Sequence, residues 1–470
     1  MALSVRKLKN DLPTVVLYIF LVVAGMLMLY SVDRPPEGYE GDLLAILASP
    51  MGKQFIWLLL SLATWFVIHH FMDRDLWVVG SYPIYGVTVL LLILVLVFGK
   101  EINNARSWFS LFGFTFQPSE LAKFGTALAM AAFLSQWSEK LNNLGAIGSA
   151  FLIIGLPAFF IVLQPDPGSA LVFASFILVM YREGLSPVIV TFGGLSAAMF
   201  LLGLLQPIPV LAGGLIGVLL IIMALKVPKG FRWWLGGTLA ILSGAGYLFY
   251  LGTGWPVLAG LAALFVIGSV YHLIKRNGQL VLLSATALLW GVLIAFAANF
   301  TFNNVLRLHQ KNRILAWLKP EGLSERGELY NITQSKLAIA AGGVSGKGLG
   351  HGTITKYDYV PEQETDFIFS AVGEAEGFMG SMAIILAFLA LLWRISVIAE
   401  RQKRTFVRAY AYGVAGIIFI HMLINIGMTM GVMPVIGIPL PFLSKGGSSL
   451  LSFTIMIAVL LKLDRHRVDV

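Results

Sequence analysis

Apolar stretches of about 20 residues, the length that carries an α-helix across ~30 Å of hydrocarbon, recur from one end of this chain to the other. In lipid every backbone N–H and C=O must find its partner inside the protein, so such a chain is either a helical bundle or a closed barrel. A barrel would read as ~10-residue segments of alternating polarity, and the runs here are continuous. The expected fold is therefore all-α: a polytopic membrane protein with about 14 transmembrane helices and one large outer loop, residues 300–368. The expected spans include 118–135, a short one at 168–182 after the Pro165–Pro167 turn, and 231–250. The first, about 13–31, is too long for a signal-peptide core and no small-residue cleavage site follows it, so it reads as a retained span.

With 58% hydrophobic and only 12% charged residues, the placement of charge is informative. Setting the N-terminus in the cytoplasm collects Arg6, Lys7, Lys9, Lys226, Lys229, Arg232, Arg394, Arg401, Arg404, Arg408, Lys462, Arg465 and Arg467 on the inner side. The short outer segments keep only Arg34, Lys53, Lys100, Arg106 and Lys445. Both termini are thus expected inside. The net charge of +9 is explained by the inner leaflet, and no nucleic-acid partner is needed. The absence of cysteine excludes disulfides, thiolate nucleophiles and Cys-ligated metals. The seven histidines are scattered without metal-ligand spacing.

This topology puts four polar segments outside: 99–117, 164–168, 300–368 and 430–446. After the first, Pro118 and Ser119 open a helix on which Glu120 and Lys123 stand three apart and can pair. They read either as an ion pair that packs the bundle or as the polar wall of an outward-opening cavity with Asp166 and Asp366. Two prolines hold Asp166 rigidly in the second segment, where it reads as a helix cap or a functional carboxylate. In the large loop, Val305–Lys319 mixes apolar and basic residues and reads as an interfacial helix carrying Arg313. The glycine-rich run Gly342–Gly352 is not a nucleotide loop, because Gly348 follows Lys347 where Ser or Thr is required. Its glycines suit close backbone packing or approach to a ligand. The segment Met433–Ser449 is broken by Pro and Gly, which near membrane depth is tolerated only where backbone is buried or lines a cavity. Finally, Pro361–Phe369 sets Glu362, Glu364 and Asp366 where the polar loop runs into an apolar helix. A carboxylate there is costly unless it has a partner or a task.

Pro361-Glu362 followed by Thr365-Asp366-Phe367-Ile368-Phe369 resembles the signature of the SEDS proteins (shape, elongation, division, sporulation). Arg106–Phe109, Gln117–Lys123, Gln164–Ser169, Arg313–Leu315, Gln334–Lys336 and Pro434–Ser449 resemble further motifs of that family, in its order. Gly346-Lys347-Gly348 and Gly352-Thr353 look more RodA-like (elongation) than FtsW-like (division). The resemblance implies a peptidoglycan glycosyltransferase of the bacterial cytoplasmic (inner) membrane that polymerises lipid II onto a nascent glycan strand. It also implies a class B penicillin-binding transpeptidase as partner and Asp366 as general base. Arg106, Glu120, Lys123, Asp166, Arg313, Lys336 and Glu362 are the substrate-binding candidates. Lys123, Arg313 and Lys336, expected to face the outer surface, would stabilise the pyrophosphate leaving group. A divalent cation such as Mg2+ could share that task, but the sequence fixes no ligands for it.

The chain departs from the family pattern in places. Glu364 stands where His is frequent, Lys445 where Tyr is usual, and Glu374-Ala375-Glu376 separates an acidic pair that is normally adjacent. The family is usually ten-spanning, so two additional hairpins at 206–278 are expected between an N-terminal core part, 1–205, and a C-terminal core part, 279–470. These hairpins should form a peripheral addition that leaves Asp366 untouched. The rival class is a transporter or lipid flippase, which would gather its polar residues near the midplane and show inverted repeats.

Overall fold

The computed structural model describes residues 11–33, 49–102, 105–111, 114–136, 141, 143–227, 237–238, 241, 254–306, 308–318 and 328–467. Along the chain run α1 (Leu12–Val32), α2 (Pro50–His70), α3 (Arg74–Val79) and α4 (Ser81–Phe98). Strands β1 (Lys100–Ile102), β2 (Ala105–Leu111) and β3 (Phe114–Phe116) come next. Then follow α5 (Pro118–Gln136), α6 (Leu144–Leu163), α7 (Pro167–Val172), α8 (Phe176–Arg182), α9 (Pro187–Leu205), α10 (Ile208–Leu225), α11 (Gly254–Ile274) and α12 (Gly278–Phe300). The last helices are α13 (Leu308–Leu318), α14 (Glu328–Ala341), α15 (Thr353–Lys356), α16 (Ile368–Glu400), α17 (Thr405–Thr429) and α18 (Gly447–Arg465).

Among the described residues 11 helices are long and apolar enough to cross a membrane. The expected span at 118–135 is the charged helix α5, and that at 168–182 is the broken pair α7 and α8. The expected span at 231–250 lies outside the described residues, as do Lys229 and Arg232. The segment 99–117, read only as a polar connection, folds into the small antiparallel sheet β1–β2–β3. β1 and β3, with three residues each, offer too few positions for a period-two pattern to stand out.

The chain divides into two compact units, Met1–Leu185 with Arg313–Val470, and Ser186–Asn312. In the second unit, α9 to α12 share one apolar core built from Met199, Leu215, Leu219, Met223, Leu261 and Ala295. Packing thus groups 187–205 and 278–300 with 208–225 and 254–274 in one unit, whose bounds are wider than 206–278.

In the first unit α5, α17 and α18 are the most enclosed helices, while α1, α2 and α4 turn many large apolar side chains outward, as lipid permits. Small residues set the close approaches. A Cβ on Gly125 would stand 2.5 Å from Thr88 Oγ1, and one on Gly25 would stand 2.4 Å from the Phe442 carbonyl oxygen. One end of this bundle gathers a charge network. Asp11 accepts from Arg394 (2.6 Å) and Arg401 (3.2 Å), and Arg401 also pairs with Asp464. Arg408 reaches Glu183 at 2.7 Å. Burial alone would raise the Asp11 carboxyl. Hydrogen bonds from Arg394 and Thr14, with the charges of Arg394 and Arg401, bring it below its usual value instead.

The glycine-rich run serves a break in α16. At Gly377 (φ 64°, ψ −160°) the helix leaves helical geometry, which frees backbone groups that lipid could not satisfy. The loop supplies the partners: Lys347 N–H donates to Glu374 O (3.0 Å), Gly348 N–H to Ala375 O (2.8 Å), and Phe378 N–H to Gly343 O (2.9 Å). The fully buried Glu374 carboxylate then accepts from Lys347 Nζ, the backbone N–H groups of Ile354 and Thr355, and the Thr355 hydroxyl. A Cβ on Gly346 (φ +75°) would stand 2.1 Å from the Ala375 carbonyl oxygen. Gly346→Ala is therefore expected to destabilise the protein by about 3 kcal/mol, combining left-handed strain with overpacking against backbone. Thermal melting in detergent checks this, and a midpoint within 1 °C of wild type would contradict it.

Candidate functional site

Asp366 lies on a tight turn whose flanks are fixed. Glu362 adopts a positive φ of 55°, and its carbonyl oxygen accepts the N–H groups of Thr365 (3.1 Å), Asp366 (3.1 Å) and Phe367 (3.2 Å). On one side the buried Gln363 amide donates to Thr355 O at 2.9 Å, and on the other Phe367, Ile368 and Phe369 are buried at the start of α16. Between these anchors the backbone of Asp366 is held while the residue stays half-buried. Glu362 is exposed on the same turn and accepts from the Thr365 hydroxyl at 3.0 Å.

The broken segment Met433–Lys445 is the hub around which the candidate residues meet. A Cβ on Gly437 (φ +78°) would stand 3.2 Å from Asp366 Oδ2, so bare backbone passes beside the carboxylate. Asn425, buried in α17, donates to both Asp366 O (2.9 Å) and Ile438 O (2.8 Å) and straps the turn to the hub. One helical turn earlier, His421 puts Nδ1 at 3.0 Å from Pro439 O and Nε2 at 2.8 Å from Lys123 Nζ. With Nδ1 donating to the carbonyl, Nε2 is left to accept from the ammonium. Lys123 also donates to Glu120 Oε1 at 2.6 Å, and its ammonium lies 5.9 Å from the Phe453 ring centre. Lys123 is thus entirely buried on internal partners. The expectation that it faces the outer surface does not hold, because Glu120 and His421 enclose its charge.

Asp166 caps α7: Oδ1 accepts from Ser169 N–H and Oδ2 from Gln117 Nε2, each at 3.0 Å. Two residues on, a Cβ on Gly168 would stand 2.9 Å from both the side chain and the carbonyl oxygen of Ile436. The hub therefore has Asp166's helix at Ile436, Asp366 at Gly437 and Lys123's chain of contacts at Pro439. Arg313 is half-buried on α13, whose Trp317 donates to Val432 O at 2.9 Å. Lys336 is exposed on α14, where Ser335 donates to Thr429 O at 2.9 Å and the Lys336 chain lies against Gly431. Both basic helices hang from the end of α17, just before the hub. Arg106 is exposed on β2, opposite Glu101 of β1.

Sequence reasoning missed His421 and Asn425. The signal was present as two polar residues four apart inside an apolar helix, hence on one face. Among the described residues no three His, Asp or Glu side chains come together to hold a metal ion.

Comparison with known proteins agrees with the architecture. A family model described as "Cell cycle protein" (FtsW, RodA and SpoVE) matches residues 12–208 and 235–469. The stretch it passes over, 209–234, lies inside the expected insertion. The peptidoglycan glycosyltransferase MrdB of Escherichia coli (strain K12) is 27% identical over 82% of this chain and 77% of its own length. The peptidoglycan glycosyltransferase RodA of Treponema pallidum is 28% identical over 94% of each chain. Stage V sporulation protein E of Bacillus subtilis is 27% identical over 99% of each. Among solved structures, a chain from a peptidoglycan synthase complex that coordinates polymerisation and crosslinking superposes with a TM-score of 0.61 at 24% identity, covering 98% of this chain and 99% of that one. The rod shape determining protein RodA of Thermus thermophilus superposes with a TM-score of 0.53 at 23% identity, covering 98% of each. With nearly its whole length matched, this chain belongs to the FtsW/RodA/SpoVE family of polytopic membrane proteins.

Proposed function

We propose that this chain is a peptidoglycan glycosyltransferase of the elongation type, which polymerises lipid II on the outer face of the bacterial cytoplasmic membrane. The observation that carries the reading is the half-buried Asp366, fixed on a rigid turn beside the bare backbone of Gly437. An acceptor sugar hydroxyl must lose a proton as its oxygen attacks the anomeric carbon of the donor chain. Asp366 takes that proton, a contribution typically of ~10²–10⁴-fold. The glycosidic bond forms as the bond to the lipid pyrophosphate breaks, so one displacement inverts the anomeric carbon. Arg313, Lys336 and Arg106 supply positive charge for the leaving pyrophosphate, and Glu362 contacts the sugar at the exposed edge of the turn. Glu120, Lys123 and Asp166 act at one remove, by holding the hub.

The charge asymmetry supports an inner location for the end holding Asp11, Arg394, Arg401 and Asp464, with Asp366 at the outer face. The solved synthase complex, whose function joins polymerisation to crosslinking, supports a class B penicillin-binding transpeptidase as partner. The test is to incubate the purified chain with lipid-linked disaccharide and follow both polymer formation and lipid movement across a vesicle bilayer. Glycan polymers are expected. Transfer of intact lipid-linked disaccharide across the bilayer with no polymer would put the flippase reading in its place.

A further inference from the structure

Glu364, on the turn of Asp366, and Lys445, at the far end of the hub, are each other's partner. Lys445 Nζ pairs with Glu364 Oε2, and the Lys445 N–H donates to the Glu364 carbonyl oxygen at 2.8 Å. Next to them the Ser444 hydroxyl donates to Thr365 O at 2.6 Å and itself accepts from Leu440 N–H at 2.8 Å. These contacts join the turn of Asp366 to the far end of the hub. The charged pair adds a side-chain link between the same two segments. It lies two residues before Asp366, with Lys445 and Glu364 side chains 32% and 26% exposed.

We propose that Glu364 and Lys445 form an ionic clasp that positions the Asp366 carboxylate. The proposal rests on the reading of Asp366 as general base. Glu364 and Lys445 act through the turn as positioning residues and need not touch substrate. A partly exposed pair is screened by salt, whereas Gln363 and Phe367, the turn's other anchors, are buried and uncharged. Part of the salt dependence of this chain's turnover is therefore carried by this contact, beside the part carried by the exposed Arg106 and Lys336.

The test uses the purified full chain with lipid-linked disaccharide and compares Glu364→Gln, Lys445→Met and the swapped double variant Glu364→Lys/Lys445→Glu. Each single change is expected to lower kcat roughly fivefold with KM within about twofold, the scale of one partly exposed pair. The swap should recover most of that loss. Added salt should lower kcat of wild type and swap more steeply than that of the single variants. Unchanged kcat in the single variants, a rise in KM alone, or a folded swap no better than either single variant would each overturn the clasp. Should a single variant fail to fold, the salt titration of wild type decides, and a flat kcat overturns the proposal. Amide exchange of the peptide 361–369 gives a readout free of activity: faster in each single variant, restored in the swap. If the exchange pattern holds while Asp366→Asn stays active, the clasp stands and the base assignment falls.

Discussion

Asp366→Asn is expected to lower polymer formation by at least about 100-fold while the chain still folds and inserts. Asn is nearly isosteric with Asp, and the backbone contacts that fix the turn are untouched by the change. The Asp366 N–H still reaches Glu362 O, and its carbonyl oxygen still accepts from Asn425. The approach of Gly437 to the side chain also survives, since no bulk is added. The change removes the ability to take a proton from the acceptor hydroxyl. The loss should therefore fall on kcat, with KM for the lipid-linked donor changing little. Polymer yield above about a tenth of wild type, in a protein with an unchanged melting midpoint, would exclude general-base catalysis of the usual size.

How much of this could be read from the sequence differs between fold and site. Spans declare themselves because a helix of fixed rise must carry about 20 apolar residues through lipid, and nearly every expected run is a helix here. Which face of each span is buried was not legible. Lipid and protein interior are equally apolar, so the hydrophobic pattern that marks a water-facing helix is erased. The glycines of Gly342–Gly352 were recognisable as a site of close backbone approach. Their partner, the break at Gly377, lies beyond the turn of Asp366 in sequence and is joined to them only by tertiary hydrogen bonds. The same holds for the site. Asp366 and Asp166 stand out because a charge in a rigid turn beside an apolar run is locally improbable. Asn425 and Gly437 show locally only as a polar residue in an apolar helix and a glycine in a broken segment, and their part depends on which segment folds against them. Glu364 and Lys445 were visible one at a time as departures from a pattern, and only the fold shows that they pair with each other.

Lys123→Met should be the most destabilising of the single changes near the hub. The ammonium is wholly buried between Glu120 and His421, in a helix enclosed on almost every side from Pro118 to Leu134. Removing it leaves the Glu120 carboxylate without its cation, and Glu120 Oε2 already lacks a hydrogen-bond partner among the described residues. Stripping one partner from a buried pair typically costs ~3–5 kcal/mol, because the orphaned charge must be protonated or left unsolvated. His421 loses the donor to its Nε2 at the same time, which slackens its grip on Pro439 and hence on the hub. The double variant Glu120→Gln/Lys123→Met removes both charges and should recover a large part of the stability, since well-packed neutral replacements of a buried pair are often nearly neutral. Melting midpoints in detergent for the two single variants and the double variant make the cycle. A double variant no more stable than Lys123→Met would mean that the loss comes from packing around the lysine stem and not from the stranded carboxylate. A Lys123→Met protein within about 1 kcal/mol of wild type would mean that the buried pair does not hold the hub at all.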